Sequence, residues 1–189
     1  GSTLQRDWLP GDLRIEQAKV ALDGSIAVQA RQSLEESRWL LGLAERNAEI
    51  KGVVGWVDLR SDRVEEQLWE FAGHAKFVGV RHVVQDEPDD NFMLRPEFLR
   101  GIGKLKQFNL AYDILIYPKQ LRAAIGLARR FPDQRFVLDH IAKPRIKESK
   151  CSPWAEEISE LAAAPNVWCK VSGMITEADH STWKASDFK

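Results

Sequence analysis

The sequence predicts an α/β fold of the (β/α)8 TIM-barrel type, with about six consecutive strand–helix units in these 189 residues. Six short apolar runs recur along the chain, and helical patterns separate them. Strands that alternate with helices are typical of βαβ units in a parallel sheet. No glycine-rich phosphate fingerprint follows the first run, which argues against a doubly wound dinucleotide-binding sheet.

The six predicted strands carry apolar residues at both alternating positions, as expected for a parallel sheet that helices cover. They are residues 24–30, 50–59, 76–84, 110–117, 135–141 and 166–174. Five predicted helices lie between them, at residues 33–47, 62–73, 95–107, 118–130 and 153–164. Ser33 and Glu36 have the spacing of a capping box. Pro118 and Pro153 suit the first turn of the last two helices.

Composition limits the possible partners. The formal net charge is -1, which argues against nucleic acid, because phosphate binding needs a basic surface. No apolar run reaches the roughly 20 residues of a membrane span, and no signal peptide is recognisable. Two cysteines do not make a disulfide framework, so we expect a cytoplasmic location. The whole of 1–189 is predicted to be one domain.

Polar side chains collect at or near the ends of the predicted strands: Gln29, Asp58, Arg81, His82, Tyr117, His140, Lys170 and Ser172. In a TIM barrel, side chains that converge at the carboxyl ends of the strands form the catalytic rim. This distribution favours the barrel over an open sheet and supplies the candidate site residues.

Strand alternation sorts several candidates between the two faces of the sheet. Arg81 shares its face with Gly79, which leaves space inside the barrel, so Arg81 is expected at the inner rim. His82 has the opposite parity and is a weaker candidate. Asp113 and Tyr117 share a parity on the fourth run.

Asp113 lies in the middle of its strand, where a buried carboxylate needs a partner. Lys170 and Arg81 are the candidate partners. A structural ion pair and a contact with substrate both stay open for Asp113. They stay open equally for Lys170, which shares a parity with Ser172.

The run "RFVLDHI" at 135–141 ends on an acid and an imidazole. Alternation places Phe136, Leu138 and His140 on one face, and Asp139 on the other. We expect the two apolar side chains to fill the barrel, with the imidazole of His140 above them at the rim. Asp139 is then expected to point away from the interior as a structural acid.

Four segments, "GVVGWVDL", "GVRHVVQDEPD", "FVLDHIAKP" and "VWCKVSGMITEADH", together resemble the amidohydrolase-related TIM-barrel hydrolases. The similarity is greatest to the lactonase branch, which includes sugar-acid lactonases and the 2-pyrone-4,6-dicarboxylate lactonase. The resemblance implies hydrolysis of a small-molecule lactone of a sugar acid or related carboxylate. It also implies one divalent metal, often zinc, and no organic cofactor.

The resemblance assigns roles to residues that match its motifs. His140 is the motif histidine, expected to act in catalysis and as a metal ligand. Arg81 is expected to act in catalysis by holding a substrate oxygen. We expect the substrate to contact four further side chains, those of Lys170, Tyr117, Asp113 and His82.

Two motifs of the resembled family do not occur in these residues. One is the His-x-His of the first strand, and the other is the Gly-Ser-Asp-Trp-Pro-like segment of the last strand. The six predicted strands therefore correspond to the second through seventh of the barrel. We expect an incomplete barrel that hydrolyses lactones poorly and binds zinc weakly. A decarboxylase or isomerase on the same barrel, or a non-catalytic fragment, are the alternatives.

Overall fold

The computed structural model describes residues 5–188, so both ends of the predicted 1–189 domain lie outside the described residues. Six strands form one parallel sheet in which sequence neighbours are also sheet neighbours. They are β1 Ser25–Val28, β2 Ile50–Gly55, β3 Phe77–Val83, β4 Ala111–Leu115, β5 Phe136–Leu138 and β6 Val167–Cys169. The predicted strands and their order are confirmed. Each strand ends before its predicted limit, because the chain turns into loops at the rim.

Six α-helices accompany the sheet: α1 Pro10–Lys19, α2 Leu34–Arg46, α3 Val64–Ala72, α4 Pro96–Leu105, α5 Leu121–Arg130 and α6 Trp154–Ala162. The five predicted helices are confirmed, and α1 was missed. Gln17 is the one buried residue of α1, so this helix has no apolar stripe for periodicity to detect. None of the helices within 5–188 is long and apolar enough to cross a membrane.

The capping box predicted before α2 forms only in part. Ser33 Oγ accepts a hydrogen bond from the backbone N–H of Glu36 at 3.1 Å. The carboxylate of Glu36 accepts from the backbone N–H groups of Ala30 and Arg31, at 3.0 and 2.7 Å, rather than from Ser33. Glu36 therefore holds the loop that leaves β1 against the first turn of α2.

The main hydrophobic core lies between the sheet and the helices. Its largest fully buried side chains include Tyr112, Phe136 and Ile114 from the strands, with Phe98 and Leu68 from the helices. Burying a side chain of this size stabilises the fold by about 1.5–3 kcal/mol. The packing of the helices on the outer face of the sheet is thus a major source of stability.

The inner face of the sheet is open. Ile26, Val78 and Trp168 are exposed there. Side chains from β1 through β6 line one cavity of about 650 Å³ on this face, so the sheet is curled as in a barrel. Residues that precede β3, β4 and β5 also line the cavity, which therefore extends from the amino ends of these strands to Asp113 and Lys170.

Gly101 of α4 gives a test of how closely the helices approach the sheet rim. An added Cβ at Gly101 would meet the backbone carbonyl of Leu59 directly. We expect Gly101→Ala to lower the free energy of unfolding by about 2–3 kcal/mol, because backbone cannot move aside as a side chain can. Urea unfolding followed by circular dichroism measures the change.

Gly103→Ala on the same helix is the matched control. Its added Cβ would lie 3.4 Å from the ring of Phe131, an ordinary contact. Alanine has a higher helix propensity than glycine, by about 1 kcal/mol. Gly103→Ala should therefore be neutral or stabilising, and an equal loss in both variants would contradict the close approach at Gly101.

Candidate active site

Four charged side chains meet on the inner face at the carboxyl ends of the strands; we call them the charged cluster: Arg81, Asp113, Asp139 and Lys170. Arg81 pairs in register with Asp113, while Asp139 and Lys170 directly follow β5 and β6. Arg81 Nη1 donates to Asp139 Oδ2 at 2.8 Å. Lys170 Nζ donates to Asp113 Oδ2 at 2.5 Å. The cluster therefore links β3, β4, β5 and β6.

Asp139 is the centre of the charged cluster. Its Oδ1 lies 2.7 Å from Lys170 Nζ, an ion-pair contact that is not aligned as a hydrogen bond. Its other oxygen accepts from Arg81, and the side chain is completely buried. A carboxylate in such a site stays charged only when cations compensate it, so Asp139 needs both partners.

Arg81 is largely occupied by its neighbours. Its Nε donates to Gln29 Oε1 at 3.0 Å, and its Nη2 donates to the backbone carbonyl of Gln29. Lys170 is the most accessible member, with 36% of its side chain exposed against 13% for Arg81. Lys170 is thus the cation of the cluster that a ligand in the cavity can reach.

Within the charged cluster, burial and the neighbouring charges shift the pKa values in opposite directions. Burial raises the pKa of the Asp113 carboxyl above its ordinary value, and the ammonium of Lys170 only partly offsets this. Burial by itself would lower the pKa of Lys170. Its hydrogen bond to Asp113 and its contact with Asp139 outweigh that effect and raise the pKa, so Lys170 carries a positive charge at neutral pH.

The predicted orientation of the 135–141 run is wrong. Phe136 and Leu138 are buried in the core under the helices, whereas Asp139 joins the charged cluster on the inner face. Both faces of this sheet carry apolar side chains, so alternation alone does not show which face the helices cover. The strand ends at Leu138, so alternation does not extend to His140.

His140 begins a left-handed turn that contains no glycine. Residues His140, Ile141, Ala142 and Lys143 have φ values of 53°, 45°, 56° and 50°. Each such residue costs roughly 1–2 kcal/mol relative to right-handed backbone. Backbone strain of this kind persists only where surrounding contacts impose it, and it concentrates at functional sites.

The imidazole of His140 lies at the rim beside the charged cluster. Its Nδ1 is 2.8 Å from Ser172 Oγ, in the loop that follows β6. Burial lowers the pKa of His140; nearby Asp139 opposes this effect, while Lys143, Arg81 and Lys170 add to it. The ring is therefore neutral at pH 7, the state in which it can bind a metal or hydrogen-bond a neutral substrate.

His82 lies on the opposite face of the sheet. It is 1% exposed and stacks on Phe92, with Phe98 against its edge. Trp56 Nε1 donates to its Nδ1 at 3.3 Å, and its Nε2 lies 2.7 Å from Glu87 Oε1. The predicted contact between His82 and substrate does not fit this position, because alternation turns its ring away from the cavity.

Tyr117 stands at the rim, two residues beyond the end of β4. Its ring is 37% exposed, and the ammonium of Lys143 lies 6.0 Å from the ring centroid. The structure thus brings Arg81, Asp113 and Lys170 into one network with His140 and Tyr117 at the same rim. Gln29 and Ser172 were predicted only as polar residues at strand ends, without a role in the site, and Asp139 was predicted to point away from it.

Comparison with known proteins identifies the family. The sequence profile of the family described as Amidohydrolase matches residues 1–189. The chain belongs to the amidohydrolase family. It is 39% identical to the L-fucono-1,5-lactonase of Burkholderia ambifaria over 93% of its length, and 39% identical to that of Burkholderia multivorans over 98%. The chain spans 60% and 65% of the lengths of these two curated relatives.

Solved amidohydrolases share the fold. A crystal structure of an amidohydrolase from Burkholderia multivorans with bound zinc matches 99% of this chain and 68% of its own length, with a TM-score of 0.92 and 40% identity. A probable 2-pyrone-4,6-dicarboxylic acid hydrolase from Acinetobacter baumannii has a TM-score of 0.73 at 15% identity, which shows the fold alone. The prediction of a barrel-type α/β fold is confirmed.

Zinc is found in one amidohydrolase neighbour, so we tested the described residues of this amidohydrolase for a metal site. Within 5–188, no three or more His, Cys, Asp and Glu side chains are grouped so that they could hold a metal ion. A zinc site normally needs three or four protein ligands. His140 and its neighbours do not form such a site by themselves.

Replacing Asp139 with asparagine tests the centre of the charged cluster. Asp139→Asn keeps the shape but removes the charge that compensates Arg81 and Lys170. We expect the free energy of unfolding to fall by about 3 kcal/mol, the lower end for a broken buried pair, because water screens the partly exposed Lys170. Chemical denaturation at neutral pH measures the loss.

Asp133→Asn is the matched control for this substitution. Asp133 forms an ion pair with Lys106 at 2.8 Å, but both side chains are mostly exposed. Surface pairs contribute little to stability. A loss in Asp139→Asn no larger than in Asp133→Asn would contradict the central place of Asp139.

His82 gives the folded protein a specific dependence on pH. Burial lowers its pKa below the ordinary 6.5, although the hydrogen bond to Glu87 opposes this. As the pH falls below about 6.5, the unfolded chain takes up a proton that the folded protein does not, so the free energy of unfolding falls. It levels off once the pH is below the pKa of folded His82.

Urea denaturation at several pH values between about 7.5 and 5 measures this slope. His82→Gln should flatten it, whereas His180→Gln, at an exposed histidine, serves as the control. An unchanged slope in His82→Gln would show that other groups cause the dependence.

Proposed function

We propose that the protein containing this chain hydrolyses a lactone of a sugar acid. The observation that carries the proposal is the 39% identity to two L-fucono-1,5-lactonases across nearly the whole chain. The geometry supports it, because Asp113 and Lys170 of the charged cluster line a cavity of about 650 Å³, large enough for a single sugar ring. The chain covers only part of its relatives' length, so the activity is proposed for the whole protein.

Lactone hydrolysis adds the oxygen of water to the ring carbonyl carbon. The carbon–oxygen bond of the ring breaks, the ring oxygen leaves as a hydroxyl group, and a hydroxy acid forms. Negative charge develops on the carbonyl oxygen during the addition, so a fixed donor near that oxygen speeds the reaction. The product acid ionises and releases a proton at neutral pH.

Lys170 is our candidate for this donor. Its ammonium group is hydrogen-bonded to Asp113 and ion-paired with Asp139, and the side chain is partly exposed to the cavity. The two carboxylates fix the ammonium, so little reorganisation is needed as charge develops. Asp113 then acts on the substrate through Lys170, and Arg81 acts mainly by holding Asp139.

His140 and Tyr117 would contact the substrate from the rim. A neutral imidazole can orient water or a substrate oxygen, and the phenol of Tyr117 can hydrogen-bond a sugar hydroxyl group. We do not extend the proposal to His82, which faces the core. Binding of zinc by His140 stays a prediction, which needs ligands beyond the described residues.

The sugar-acid substrate supports a place in carbohydrate metabolism. Cys151 and Cys169 are exposed free thiols, which supports the cytoplasmic location predicted from the sequence.

A double substitution tests the role of Lys170 while every remaining charge of the cluster keeps a partner. Asp113→Asn with Lys170→Met removes the ion pairs of Lys170 with Asp113 and Asp139, and it leaves Asp139 paired with Arg81. We expect kcat/KM for L-fucono-1,5-lactone to fall at least about 10²-fold, the effect of losing one such donor. A pH indicator follows proton release, and circular dichroism checks that the variant folds.

The control is Asp133→Asn with Lys106→Met, which removes a pair of the same kind at an exposed position. It should keep full activity. Absence of proton release by the whole protein with sugar-acid lactones would overturn the proposed function, and release of CO2 from a carboxylate substrate would favour a decarboxylase instead.

A further inference from the structure

The turn that carries His140 is held by hydrogen bonds to residues outside the turn. Trp154 Nε1 donates to the carbonyl of Ile141 at 2.8 Å, and the N–H of Ile141 donates to the carbonyl of Lys170 at 3.2 Å. These bonds fix the backbone of the turn and leave the ring free to rotate about its side-chain bonds. The hydrogen bond with Ser172 is the contact that constrains the ring itself.

Gly173 supplies a second, independent constraint. An added Cβ at Gly173 would lie 3.0 Å from three atoms of His140, namely Cβ, Cγ and Nδ1. Gly173 also has a φ of +68°, which side chains disfavour. The backbone after Ser172 therefore packs so closely against the imidazole that an added side chain at Gly173 would fit only if the ring shifted.

We propose that Ser172 and Gly173 are positioning residues for His140, an inference that rests on the proposed function. Gly173 supports the ring, and Ser172 Oγ accepts a hydrogen bond from Nδ1–H. The lone pair of Nε2 is then presented at the rim, where it can accept a proton from water or a substrate hydroxyl group. Within residues 5–188, the described hydrogen bonds assign no partner to Nε2.

The arrangement follows a general rule for functional histidines. When one ring nitrogen has a fixed hydrogen bond, the tautomer and the orientation of the other nitrogen are set by it. Ser172 is two residues beyond Lys170, so the loop after β6 would place both the proposed donor and the support of His140. The loop after β6 thus contributes to the site both at Lys170 and at His140.

The test compares three variants with the unmodified protein. Ser172→Ala removes the hydroxyl group, Ser172→Thr retains it, and Gly173→Ala pushes against the ring. We expect Ser172→Ala to lower kcat about 10- to 100-fold with little change in KM, the usual effect of losing a supporting hydrogen bond. Ser172→Thr should restore kcat to within a few-fold, and Gly173→Ala should lower it. Ser159→Ala, on α6 and away from the site, is the control.

Imidazole ¹⁵N spectra give a readout that does not depend on activity. The signals of His140 are assigned by their loss in His140→Gln. In the unmodified protein we expect Nδ1 to carry the proton, and in Ser172→Ala we expect both tautomers to exchange. This measurement decides the inference even if the protein hydrolyses no lactone.

Three results would overturn the inference. One is a proton on Nε2 of His140 in the unmodified protein, which is observable even if the Ser172 and Gly173 variants fail to fold. Another is unchanged spectra and unchanged kcat in a folded Ser172→Ala variant. Loss of activity in Ser172→Ala that Ser172→Thr does not reverse would also count against it, because a hydroxyl group is then not what matters.

Discussion

The site depends on one buried carboxylate, that of Asp139. It lies between Arg81 and Lys170, so it joins the third strand to the fifth and sixth on the inner face of the sheet. Removing a charge from this position leaves cations without compensation, which is more costly than never having buried them. The shape of the rim and its charge arrangement depend on each other, because the curl of the sheet brings these charged side chains together.

Much of the fold could be predicted because its signals are local. Apolar runs separated by helical patterns indicated every strand and the order in which they pair. The exception is α1, in which polar and apolar residues alternate from Asp12 to Glu16 and Gln17 alone is buried. Its contacts are with side chains such as Glu49 and Asn47, which bind Arg14, and no periodic pattern reports such contacts.

The site was less accessible to sequence reasoning for two physical reasons. Alternation tells which residues share a face, but in a sheet with two apolar faces it does not tell which face is inside. This reversed the assignment of Asp139, whereas Arg81 was placed correctly because it shares its face with Gly79, which leaves space on the inner side. The second reason is the turn after β5, where residues other than glycine and asparagine have left-handed backbone conformations. A sequence indicates such a conformation only where glycine or asparagine occupies the position.

That turn has a consequence for how the protein can change over generations. A glycine at Ile141 would relieve backbone strain of roughly 1–2 kcal/mol, so selection for thermal tolerance alone would favour it. The same change would loosen the segment that carries His140 and weaken the site. Where the site is retained during evolution, this stabilising substitution is therefore excluded. Greater heat resistance must then come from substitutions elsewhere, for example on the exposed faces of the helices.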